Sequence, residues 1–250
     1  MIRSFAALLL VLCSALAQAQ TWPQKPVRVI VPFAPGGASD LMPRLVGEKL
    51  TAIWGQPVVI ENRPGAAGNL GMEAGAKAQA DGYTLLSAPN GNLVVNPHMY
   101  AKLAYDVFRD LAPVTRIAAV QNVLVVHPDV SAKTVRELIA LAKAKPGSLN
   151  FASPGNGSQA HVAVELLKMQ LGLDLVHVAY QGVGPAIKDL LGGRIQLMIA
   201  QLPSALPHIK AEKLRALGVA STVPLAALPD VQPSHRRRRC RGSRPCPGTH

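Results

Sequence analysis

Four short loops combine glycine with small, neutral hydrogen-bonding residues: APGGASD (34–40), SAPNGN (87–92), ASPGNGSQAH (152–161) and YQGVGPA (180–186). Main-chain N–H groups in such loops are not shielded by side chains, and serine and asparagine add further donors. The third and fourth loops run straight into helix-like segments, so free N-terminal N–H groups and the helix dipole face the same region. This chemistry suits a small organic anion. The candidate contacts are Pro35, Gly36, Gly37, Ser39 and Asp40, then Ser87 and Asn90, then Ser153, Asn156, Ser158 and His161, and finally Tyr180, Gly182 and Gly184. Each also has a plainer reading. Gly and Ser serve turn geometry, Asp40 caps its helix, His161 is a satisfied surface histidine, and Tyr180 packs at a strand end. One loop alone favours the plain turn; four together favour binding.

Other chemistries lack their signatures. No Gly-Lys-Ser/Thr follows the first loop, and the G-x-G-x-x-G spacing of a dinucleotide site is absent from it. G-x-S-x-G and H-E-x-x-H are absent too. The histidines show no metal-ligand spacing, so neither a metal nor a cofactor is expected. An exported α/β enzyme acting on a small organic acid is the alternative, and it lacks a nucleophile–base motif. The net charge of +12 is concentrated at the end of the chain, where six arginines lie between Arg236 and Arg244. Setting these and Arg3 aside leaves 19 of the 26 bases against 14 acids, a net +5. With only 4% aromatic residues, that balance suits anions and gives no nucleic-acid footprint.

The elements that position these loops alternate. VRVIVPF (27–33) reads as a strand, and DLMPRLVGEKLTAIW after it reads as a helix, with Ser39 or Asp40 as N-cap and Pro43 in the first turn. Strands at 57–63 and 83–89 flank a Gly/Ala-rich helix near 68–79. The β-rich run 113–128 reads as a crossover between two lobes. Helices at 134–145, 159–171, 183–192 and 204–212 then alternate with strands at 149–153, 175–180, 195–200 and 214–220. This order predicts an α/β fold with mostly parallel strands. Residues 1–19 read as a signal peptide: Arg3, a short apolar stretch, and A-x-A sites ending at Ala17 and Ala19. The mature chain is therefore expected to begin near Gln20, in the periplasm. Its body has no cysteine, since Cys240 and Cys246 lie at the very end.

On WPQKPVRVIVPFAPGGASD, VVIENRPGAAGNLG, KAQADGYTLL, LAPVTRIA, LNFASPGNGSQAH, VHVAYQGVGPAIKDLLGGRIQLM and KLRALGVAS, the chain resembles the Bug, or TctC-type, solute-binding receptors of tripartite tricarboxylate transporters. The resemblance covers residues 20 to about 231 in order. It implies a two-lobed flytrap, a carboxylate or related small acid held by the Gly-rich loops partly through ordered water, a role for Asp40 in the PGG-x-x-D element, a monomer, and membrane permease subunits as partners. It divides the chain into lobe 1 (20–121), lobe 2 (122–218), a return crossover to lobe 1 (219–231) and a basic tail (232–250). The family continues after ALPDV with a sequence like PTxAEAG, whereas this chain reads QPSHRRRRCRGSRPCPGTH. Shifted by one base, codons for His-Arg-Arg-Arg-Arg can encode Thr-Ala-Gly-Val, which predicts a frameshift near Val231; a natural basic tail is the alternative. On the frameshift reading the first lobe is incomplete, the tail is disordered, and the chain is poorly stable and impaired in binding.

Overall fold

The computed structural model describes residues 22–233. The expected signal peptide, its cleavage near Ala19, and all but the first two residues of the basic tail lie outside the described residues. The first layer is built on β1 (Val27–Val31), whose β-branched residues are buried. Strands β2 (Val58–Asn62) and β3 (Thr84–Leu86) flank it in the order β2-β1-β3, all parallel. Helix α1 (Ala38–Trp54) covers β2 and ends at Gly55, a left-handed residue whose N–H returns to the Thr51 carbonyl at 3.0 Å.

The start of α1 differs from the expectation. Gly37, not Ser39 or Asp40, is the N-cap, and Pro43 lies inside the helix. A proline there removes the N–H that would serve the carbonyl four residues back, that of Ser39. Ser87, at the end of β3, supplies the missing donor, its Oγ donating to Ser39 O at 3.0 Å. Helix α2 (Asn69–Ala76) packs closely on the sheet, with Gly71 against the Pro32 backbone. Ahead of β1, Trp22 sits edge-on to Trp54 at 4.9 Å and tilts against Tyr83 at 5.9 Å. Lys25 Nζ lies 4.3 Å over the Tyr83 ring.

Beyond Asn90 the chain winds through a wide turn, Gly91–Val95, into the short helix α3 (Asn96–Met99), neither of which the sequence announces. The β-rich run 113–128 yields only β4 (Asn122–Val126). Val114 is 81% exposed. Strand propensity does not make a strand where no neighbour supplies a ladder.

The second layer orders its strands β6-β5-β7-β4-β8: β5 is Asn150–Ser153, β6 Val176–Ala179, β7 Leu197–Gln201 and β8 Arg215–Val219. β5 is parallel to β6 and β7, whereas β4 is antiparallel to β7 and β8. Both faces of this sheet are covered, which explains the unbroken apolar run in β4. On one face Val123, Val125 and Met198 pack with Ala186, Ile187 and Leu190 of α6 (Val183–Leu191) and Ala205 of α7 (Leu202–Lys210). On the other, Phe151 and Leu197 pack with Leu138 of α4 (Val135–Ala144) and Val164 of α5 (Gln159–Leu171). Residues 219–231 run on from the end of β8. Leu225, Leu228 and Val231 find their apolar partners in the Val123 cluster, and Val219 bridges to Pro233. Among the described residues no helix is long and apolar enough to cross a membrane.

Candidate functional site

The two layers meet along a seam made mostly of main chain. Ala34 N–H donates to Gln181 O at 2.9 Å, and Ala38 N–H donates to Gln201 Oε1 at 2.7 Å. A Cβ on Gly36 would lie 3.2 Å from the Gly184 Cα, one on Gly182 3.1 Å from Ala34 N, one on Gly91 2.7 Å from Gly157 O, and one on Gly155 3.0 Å from the Ala67 Cα. The first loop therefore faces the fourth and the second faces the third. All four loops named from the sequence converge, and glycine is what lets them approach so closely.

Asp40 is buried and shapes the first loop. Its carboxylate accepts from Gly36 N at 3.1 Å, Arg44 Nε at 3.0 Å and Asn62 Nδ2 at 2.9 Å. Burial pushes its pKa up, but the hydrogen bonds from Arg44, Asn62 and Gly36 outweigh that and hold it below the usual 3.8. Asp40 thus folds the Pro35–Gly37 turn back on itself and leaves the helix cap to Gly37. Pro35 is exposed, Gly37 is buried, and Ser39 lends its carbonyl to Ser87.

Three of the four candidate serines, Ser87, Ser153 and Ser158, make hydrogen bonds within the chain. Besides Ser87, fully buried Ser153 receives Gly155 N–H at 3.1 Å and lies 2.7 Å from His177 Nε2. Ser158 caps α5 by accepting His161 N–H at 3.3 Å. His161 Nδ1 accepts Gly157 N–H at 3.2 Å, holding the third loop. Tyr180 turns to Asp189, donating at 2.8 Å; burial, then that hydrogen bond, push its pKa up to about 12. Asn90 and Asn156 are exposed at the loop tips. The glycines at the seam are Gly36, Gly37, Gly182 and Gly184, and of these the Gly36 N–H is already held by Asp40.

Asn92 of the second loop and residues outside all four loops complete the site. Asn69 Oδ1 accepts from Asn96 Nδ2 at 2.7 Å and Tyr105 Oη at 3.2 Å, and Asn92 Nδ2 donates to Ala67 O at 3.0 Å. Asn96 Oδ1 is buried with no hydrogen-bond partner and lies against Gly157. Gln201 ends β7. The rule that ligands gather beyond the carboxyl ends of strands would have found it.

The His161 ring tilts against His177 at 4.3 Å, and Phe151 stacks on His177 at 4.7 Å. Burial, then the neighbouring His161, lower the His177 pKa to about 4. The unfolded chain therefore binds a proton below about 6.5, while the folded chain refuses it until about 4. Stability should be complete above pH 6.5 and fall as pH drops toward 4, by on the order of 3 kcal/mol. Urea midpoints across this range should show the slope, and His177→Gln should flatten it. An equal slope in that variant would assign the loss to other groups.

Comparison with known proteins agrees with this architecture. Residues 42–238 match the family described as tripartite tricarboxylate transporter family receptor, TctC. Protein BugT of Bordetella pertussis is 42% identical over 210 residues, 84% of this chain and 64% of BugT, so the chain spans less than two thirds of that relative's length. Two solved structures each align over 85% of this chain. An R. palustris protein with adipate, Rpa4515, is 34% identical with a TM-score of 0.79 over 71% of its own chain. MatC from Rhodopseudomonas palustris, with bound malate, is 30% identical with a TM-score of 0.77 over 72% of its own chain. A family match across most of the chain, carried by a two-layered fold whose Gly-rich loops meet at one seam, places this protein in the TctC family of periplasmic solute-binding receptors.

Proposed function

We propose that the chain is an extracytoplasmic receptor that holds a small carboxylate, a di- or tricarboxylate or related organic acid, between its two layers. The acid would be delivered to the membrane permease subunits of a tripartite tricarboxylate transporter. The protein works as a monomer, exported by a signal peptide cleaved near Ala19. The observation that carries this reading is the seam itself, where Gly36 and Gly37 at the start of α1 face Gly182 and Gly184 at the start of α6. Main-chain amides at two helix starts, apart from those of Gly36 and Ala38 that Asp40 and Gln201 hold, complement a carboxylate without a fixed countercharge. The adipate and malate held by the two relatives support the same ligand class.

The enzyme reading has one observation in its favour, the 2.7 Å approach of Ser153 Oγ to His177 Nε2. Ser153 is fully buried, and its hydroxyl is committed to the Gly155 turn. A nucleophile must reach its substrate, so this pair serves the loop.

Thermal unfolding with malate, adipate and citrate tests the proposal. A ligand at a hundred times its Kd should add about 2.7 kcal/mol of stability, with the melting temperature rising with concentration. Shifts from neutral sugars alone, or from none of these acids, would count against it.

A further inference from the structure

Two main-chain N–H groups of the first layer donate across the seam, and the acceptors differ in kind. Ala34 uses the Gln181 main-chain oxygen, whereas Ala38 uses the side chain of Gln201. Ala38 is the first residue of a 17-residue helix, so its N–H has no acceptor within that helix. Ala38 is buried, and Gly37 leaves room for the approach: a Cβ there would sit 3.5 Å from the same Gln201 oxygen. Gln201 lies at the junction between β7 and α7, on the layer opposite α1.

We propose that Gln201 is a closure latch, a positioning residue whose carboxamide oxygen ties the second layer to the start of α1 and sets how often the seam is shut. Its bond exists only when the layers are together. It adds to the free energy of the closed form and to nothing inside either layer. Its neutrality matters as well. A carboxamide satisfies the N–H without adding a second negative charge to that of Asp40, which already accepts the Gly36 N–H. The proposal rests on the receptor reading for its purpose, but the contact can be tested without any ligand.

Two substitutions cut the bond from opposite sides. Gln201→Leu removes the acceptor at similar size. Ala38→Pro removes the donor, and proline is favoured at the first position of a helix. Hydrogen exchange at the Ala34 amide, whose own bond crosses the same seam, reports closure in the full chain. Each single variant should speed exchange there by about threefold to tenfold, the worth of one net hydrogen bond. The double variant should go no further, because both substitutions delete the same bond. Unchanged Ala34 exchange in Gln201→Leu, or additive losses in the double variant, would overturn the latch. A second arm titrates malate and adipate: loss of the latch should raise Kd by the same factor, through faster release. If the wild-type chain binds neither acid, the receptor proposal suffers while the exchange result still decides the latch.

Discussion

Gly184→Ala should nearly abolish ligand capture while leaving the chain folded. Gly184 lies in the first turn of α6, with no positive φ, so alanine suits its backbone and raises helix propensity. The added methyl would, however, lie deep inside the van der Waals radius of the Pro35 carbonyl oxygen, across the seam. Backbone on one layer cannot yield to a Cβ on the other without parting the two. Overpacking of this kind costs about 3 kcal/mol, which is roughly a hundredfold in affinity if closure is required for binding. Calorimetry with a carboxylate bound by the wild-type chain, together with a urea melt, separates the two effects. Binding within threefold of wild type would show that the seam need not close; a lowered urea midpoint would mean the methyl strains α6 itself.

The four loops were readable because glycine clusters at strand ends are a main-chain signal, and the main chain is what forms the seam. The alternation of strands and helices in the second layer was readable for a related reason. Both faces of that sheet are covered, so each element carries its full apolar complement, as Val123, Val125 and Val126 show. What the sequence hid depends on distant partners. Nothing near Ser87 says that Pro43 has left Ser39's carbonyl without a donor. Nothing near Ser153 says that His177 will come within 2.7 Å. Ser87 and Ser153, which looked free to meet a ligand, are taken up by such tertiary contacts. The turn at Gly91–Val95 and helix α3 escaped notice because they are too short for periodicity to register, and Asn69 and Tyr105, more than 20 positions apart in sequence, hold them.

Asp40→Ala should destabilise the first layer by about 3 kcal/mol, because a buried carboxylate with three donors is lost and those donors are left behind. Arg44 is 45% exposed and can turn to water, which keeps the cost at the lower end for a buried pair. Gly36 N–H and Asn62 have less freedom to do so. Asp40→Asn should cost less, since an amide oxygen still accepts the Gly36 N–H. In the wild-type chain this contribution is present above pH 3.8, where the unfolded carboxyl is ionised, and fades only as pH falls through the lower folded value. Chemical denaturation of the three proteins at neutral pH gives the ranking, and equal midpoints would remove Asp40 from the structural account. Ligand affinity should fall with stability in both variants, because the loop that Asp40 folds is the one that meets Gly184.

The aromatic cluster at the start of the chain has a spectroscopic consequence. Trp22 and Trp54 are the protein's two tryptophans, and they lie 4.9 Å apart beside Tyr83. Excitation is therefore absorbed and shared at one outer corner of the first layer, away from the loops that converge. Intrinsic emission from this chain is a gauge of whether residue 22 stays clasped against α1. It should quench or brighten when that clasp loosens and stay level during a titration that only draws the layers together. A fluorophore placed at an exposed loop tip, such as Asn156, would give the seam the optical reporter that the native residues do not supply.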